Sequence, residues 1–190
     1  LPDQLLIAIT KIYLTRPLEQ REEEEITSFL VRMLSPEKRE ILLREGSIFE
    51  EKETNFVRHR RIRLMAAISL YHGDEEAMAD LTAWCLKETK RLPSLLDLLT
   101  EKGRHETVQE LLRAALTEAT TSEDRFFLRS RLARNCRLRE EKRQALYLEV
   151  LNFEERPGRA EYRALKDLAL ELGEWETVKT RLRSGFRKGS

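Results

Sequence analysis

The sequence predicts an all-α protein made of antiparallel helix hairpins stacked as a short α-solenoid, and three observations predict it. Strand signals are nearly absent, because nowhere do β-branched and aromatic residues alternate between turn residues. Gly46, Gly73, Gly103 and Gly173 each follow an apolar segment of helical period, where a left-handed helix terminus favours a residue without Cβ. One hairpin is also written twice, as LLDLLTEKGRHETVQELLR over Leu95–Arg113 and LKDLALELGEWETVKTRLR over Leu165–Arg183. With Gly103 laid on Gly173, the copies match at Leu95/Leu165, Asp97/Asp167, Leu98/Leu168, Glu101/Glu171, Glu106/Glu176, Thr107/Thr177, Val108/Val178, Leu112/Leu182 and Arg113/Arg183. Chance would give about one or two such identities. The offset of 70 residues is about twice the period of a two-helix repeat, so a further unit is expected between the copies.

The helices follow in order. The first spans about 2–15, with Leu5, Leu6, Ile9 and Tyr13 on one side. The second spans about 17–34, where Ile26, Phe29, Leu30 and Met33 recur at i, i+3, i+4, i+7. The acidic run Glu22–Glu25 covers too many angles to converge on a cation and reads as a solvated face. Ser35 is expected to cap a short helix over about 36–45. A long helix over about 47–72, with a possible break near Asn55, ends in LMAAISLY, apolar around most of its circumference and hence buried on several sides. The next spans about 74–90 and carries Ala77, Leu81, Trp84, Cys85 and Leu86. Helix pairs then recur at about 93–102 with 104–119, 122–137 with 139–154, and 159–172 with 174–186. Pro2, Pro17, Pro36 and Pro93 fit first-turn positions, where a missing N–H costs nothing, and Pro157 fits a linker.

In the second copy Leu165, Leu168, Ala169 and Leu172 share a face of the first helix, while Trp175, Val178 and Leu182 begin the inner face of the next. A hairpin of this kind buries one side of each helix, and stability comes from stacking neighbours. The expected organisation is therefore N-terminal helices over 1–55 capping a continuous array over 56–190.

On these residues the hairpin resembles a tetratricopeptide unit, and the resemblance covers roughly residues 56–186. That family prefers a small residue midway along the first helix, where this chain has Leu96 and Lys166, and Ala five residues after the turn glycine, where it has Val108 and Val178. A later small position is matched by Ala115 and Gly185. The resemblance implies that the first helix of each pair lines a concave groove. A second stretch, RPGRAEYRALKDLALELGEW over Arg156–Trp175, is similar to the helical carboxy-terminal part of bacterial zinc-finger proteins of the SWIM type, which carry Tyr-Arg-x-Leu leading to Gly-x-Trp. The zinc motif of that family, Cys-x-Cys followed by Cys-x-His, is absent from these 190 residues.

Composition narrows the function. Charged residues make up 36% and apolar residues 41%, yet the formal net charge is only +1, so no global field draws the chain to polyanions. No apolar stretch approaches the roughly 20 residues that span a bilayer, and no signal-peptide pattern opens the chain. The first residue is Leu1 rather than Met, as in a fragment or processed product. Cys85 and Cys136 are expected to be buried thiols, in keeping with a cytoplasmic protein. His59, His72 and His105 have no metal-ligand spacing, and no phosphate loop or nucleophile motif occurs. No metal, cofactor or enzymatic activity is therefore expected.

Two arginine sets remain. Arg58, Arg60, Arg61 and Arg63 are the candidate nucleic-acid contacts, although at about 100° per residue they scatter around a helix, and surface ion pairing is the competing reading. Arg125, Arg129, Arg131 and Arg134 are the candidate partner-binding residues, with Arg131 and Arg134 on one face suited to an acidic side chain or carboxylate. Here the competing reading is a solvated face balanced by Glu123, Glu140 and Glu141. The leading expectation is a non-enzymatic repeat scaffold binding a protein or peptide. The alternative is a nucleic-acid-associated accessory region of a zinc-finger protein.

Overall fold

The computed structural model describes residues 3–34 and 54–188. Among them the regular structure is entirely helical: α1 Asp3–Thr15, α2 Gln20–Met33, α3 Asn55–His72, α4 Glu75–Leu86, a 3-10 turn Thr89–Arg91, α5 Leu92–Glu101, α6 His105–Glu118, α7 Ser122–Leu138, α8 Lys142–Glu155, α9 Arg159–Glu171 and α10 Trp175–Lys188. The expected helix over 36–45, its cap Ser35, the mark at Gly46, and Pro2 all lie outside the described residues. No described helix is long and apolar enough to cross a membrane.

The chain forms two compact units, Leu1–Lys102 and Gly103–Ser190. The first is organised around α3, which packs on α1, α2, α4 and α5. That many neighbours explains why LMAAISLY is apolar nearly all round: Leu64, Ala66 and Ile68 are all buried. Leu64 and Ile68 share a core with Leu6, Tyr13 and Leu14 of α1, Leu30 and Val31 of α2, and Leu34 just beyond it. Helices α1, α2 and α3 thus bury one common core.

Several element ends differ from expectation for local reasons. Helix α2 starts at Gln20, not near Pro17, because Glu19 and Glu22 form a reciprocal capping box. The helix expected over 74–90 stops at Leu86, and a 3-10 turn intervenes before Pro93 enters the first turn of α5. Thr54 caps α3 by accepting a hydrogen bond from the Val57 N–H, which fixes the break expected near Asn55. On α1, Leu5 is exposed instead of joining the core face, and Leu14 is buried.

In the second unit each helix packs on the next, α6 on α7, α7 on α8, α8 on α9 and α9 on α10, and α8 also meets α10. Side-chain links show the directions. Arg125 near the start of α7 reaches Glu155 at the end of α8, and Arg137 near the end of α7 reaches Glu149. Lys142 at the start of α8 reaches Glu171 at the end of α9. Consecutive helices are thus antiparallel. A second series joins alternate helices: Glu106 with Arg139, Gln109 with Glu141, Arg113 with Gln144, Arg143 with Glu174 and Glu154 with Arg181, across 27 to 33 residues. Along each helix these links advance together, so α6, α8 and α10 run parallel to one another.

Three residues hold the left-handed turns of the three hairpin sequences, Gly103 (φ 69°), Glu140 (φ 60°) and Gly173 (φ 69°). Aligning on them places Leu132 with Leu95 and Leu165, Cys136 with Leu99 and Ala169, and Ala145 with Val108 and Val178, and all nine are buried. The middle unit therefore has a definite register, hidden in the sequence because a glutamate stands at the turn. Half-buried Trp175 packs edge-on against Tyr162, their centroids 5.8 Å apart.

Candidate functional site

The first arginine set divides once folded. Arg60 is buried: its guanidinium donates to the Tyr13 carbonyl at 2.7 Å and to the Arg16 carbonyl, and pairs with Glu23 at 2.9 Å. Those carbonyls end α1, so Arg60 caps a helix C-terminus from inside the protein. The ring of Phe56 lies 4.4 Å from its guanidinium. Arg60 is thus withdrawn from any phosphate contact. Arg61 is also buried, with its guanidinium 5.0 Å from the centre of the Trp84 ring. Arg63 makes a two-pronged pair with Glu101 at 3.0 and 2.7 Å. Arg58 bonds the Asn55 side chain at 3.1 Å. The four residues do not converge on one surface.

Helix α7 begins under a cap from Thr121, whose hydroxyl accepts from the Asp124 N–H. Arg125 and Arg129 share one carboxylate, Glu155 at the end of α8. Their hydrogen bonds hold the Glu155 carboxyl below the usual range, Arg129 contributing most. Arg137 meets Glu149 at 3.0 Å, and burial pushes the Glu149 carboxyl up despite the cation. Arg125, Arg129 and Arg137 thus face α8, while Arg131 and Arg134 point elsewhere. Arg131 lies 5.6 Å from the centre of the Phe127 ring. Arg134 is exposed and makes no hydrogen bond or ion pair with any described residue.

Of the four expected partner-binding residues, then, Arg125 and Arg129 are drawn into the α7–α8 contact, while Arg134 stands exposed one turn from half-buried Arg131. Two apolar residues were missed there. Phe127 and Leu138 extend the Arg131–Arg134 row at i, i+4, i+7, i+11, and Leu138 is 53% exposed. The spacing signals them in the sequence, but the surrounding arginines obscure it. The stripe is thus a positive centre with an apolar group at either end. It contains no nucleophile or base.

The other expected chemical groups are placed inside. Cys85 and Cys136 are fully buried, and burial pushes their thiols up to about 12 and about 11. His59 sits 2.8 Å from the Ser94 hydroxyl, and burial lowers its affinity for a proton. His72 donates from Nε2 to the Leu34 carbonyl at 2.9 Å. His105 meets the Asn135 amide oxygen at 3.2 Å. Among the described residues no three His, Cys, Asp or Glu side chains gather as a metal site would require.

No protein-family model matches the chain, and comparison with curated proteins and with solved structures finds no match to either.

Proposed function

We propose that the chain is a non-enzymatic helical-repeat scaffold that binds an acidic protein or peptide segment along the free face of α7. The observation that carries this reading is Arg134, exposed and without an internal carboxylate one turn from Arg131, while Arg125, Arg129 and Arg137 on the same helix each have one. The exposed Arg134 guanidinium, in a row that ends in Phe127 and Leu138, suits a carboxylate set between apolar side chains.

A tetratricopeptide-like arrangement draws support from the middle hairpin. In the register set by Glu140, Ala133 occupies the small position midway along the first helix and Ala145 the one five residues after the turn, both fully buried. The flanking copies depart from that family at these two places. The parallel run of α6, α8 and α10, linked about one hairpin apart in sequence, is the neighbour relation that repeat stacking requires. The nucleic-acid reading of Arg58–Arg63 loses its support, since Arg60 and Arg61 are buried and Arg63 is matched by Glu101.

Fluorescence anisotropy with a labelled peptide of alternating Glu and Leu, and with its Lys-for-Glu counterpart, tests this. The acidic peptide is expected to bind at least ten-fold more tightly than the basic one. Equal affinities would overturn the assignment.

A further inference from the structure

The helix of the third hairpin that corresponds to α7 has a free face of different chemistry. Arg159, Tyr162, Arg163 and Lys166 stand at i, i+3, i+4 and i+7 of α9, within about 100° of one another on the helix circumference. The adjoining side, beyond Tyr162, carries the buried Leu165, Leu168 and Ala169. The spacing signals this row in the sequence, where the apolar period of the same segment overlies it.

Arg159 and Arg163 are exposed, and neither makes a hydrogen bond or ion pair with a described residue. Elsewhere in this unit Arg125, Arg129, Arg137, Arg139, Arg143 and Arg181 are each set against a carboxylate. Asp167, beside Arg163 in the same turn, is exposed and pairs with neither arginine. Lys166 reaches over the Trp175 ring, its ammonium 5.7 Å from the centroid. Tyr162 is 38% exposed, yet its ring is braced by Phe153 and Trp175, each 5.8 Å away between centroids. The face therefore combines three cations spaced along the helix with one aromatic ring that is both accessible and held in place.

We propose that this face of α9 binds single-stranded nucleic acid. Arg159 and Arg163 lie one turn apart, about 5–6 Å along the axis, a step comparable to that between neighbouring phosphates of an extended strand. Each donates to a phosphate, with Lys166 adding a third positive charge. Tyr162 presents its ring beside them for a base to stack on, the combination by which sequence-tolerant single-strand binding works. A braced, accessible ring among cations favours a base as its ligand, and the poly-glutamate comparison below separates this from an acidic peptide.

The test uses the full chain and a labelled 20-nucleotide oligo-U RNA and oligo-dT DNA, followed by anisotropy across a salt series. Binding is expected for at least one strand at low salt. In Arg159→Ala with Arg163→Ala, both on the surface, affinity should fall at least ten-fold. The dependence of log affinity on log salt should then lose about 1.4 in slope, as two phosphate contacts would require. Tyr162→Leu should weaken binding about five-fold or more with the slope unchanged, while Tyr162→Phe retains it. Circular dichroism confirms that each variant is folded. Failure of both oligonucleotides to bind, or binding indifferent to the arginine pair, overturns the proposal. So does poly-glutamate binding as tightly as RNA with no effect of Tyr162→Leu, which marks a plain cationic patch.

Discussion

Glu140 and Gly173 close successive hairpins with the same backbone bonds. The N–H after Glu140 donates to the Cys136 carbonyl at 2.8 Å, as the N–H after Gly173 donates to Ala169 at 2.8 Å. Each turn residue's own N–H also reaches three residues back at 3.1 Å. An L-residue in this left-handed conformation is strained by contact of its Cβ with the backbone. Glu140→Gly is therefore expected to stabilise the protein by about 1 kcal/mol, seen as a higher urea midpoint at unchanged slope. Glu140→Ala, which keeps the Cβ, should bring no such gain.

The same alignment sets Glu149 where the flanking copies have the buried leucines Leu112 and Leu182. The partner of Glu149, Arg137, is 39% exposed, so the pair is only half-buried, and replacing a desolvated ion pair by apolar residues is often neutral or stabilising. Arg137→Met with Glu149→Leu is thus expected to match or exceed the wild-type stability, whereas Arg137→Met alone destabilises by leaving the carboxylate unpaired.

Burial raises the affinity of Glu149 for its proton, so the folded state binds that proton more tightly than the unfolded chain does. Its contribution to stability is then greatest below the ordinary glutamate value of about 4.3 and is lost as pH rises through the raised folded value. Glu88, Glu141 and Glu155, whose carboxyls are lowered by hydrogen-bonded partners, act in the opposite sense as pH falls. The difference between Glu149→Gln and wild type isolates the one group. As pH rises from about 4.3 through the raised folded value, the variant should gain stability relative to wild type, measured by urea unfolding at each pH.

Arg60 ties three elements of the first unit through two carbonyls and Glu23. Arg60→Met keeps much of the packing and removes every one of those donors, at a cost of about 3–5 kcal/mol. Arg63→Met loses only the partly exposed pair with Glu101 and should cost about 1 kcal/mol or less. Chemical denaturation of the two variants side by side measures the contrast.

Much of this was legible in the sequence because local chemistry decides it. The glycine turns at 73, 103 and 173, and the apolar stripes on α2 and α9, come from backbone sterics and helical period alone. What was not legible depends on neighbours distant in the chain. Arg60 reads as one charge in a basic run, and only the approach of the α1 terminus makes it a buried cap. Arg125 and Arg129 read as surface, and only the end of α8 supplies Glu155. The middle register was lost for a third reason, since Glu140 adopts a conformation that nothing in its side chain announces.

Cys85 and Cys136, buried with thiols raised to about 12 and about 11, are expected to be inert toward a thiol reagent at pH 8 in the native protein. Both should titrate promptly in denaturing urea, followed spectrophotometrically.

If this face of α7 selects its partner by charge, exchanging the charges should exchange the partners. Arg131→Glu with Arg134→Glu should cut affinity for the Glu-Leu peptide at least ten-fold and create a preference for the Lys-Leu peptide. The melting temperature should stay nearly unchanged for Arg134→Glu alone, because that exposed charge contributes little stability, and fall modestly for the pair, because Arg131 is half-buried against Phe127. Undiminished binding of the acidic peptide by the folded variant would show that this face of α7 is not the binding site.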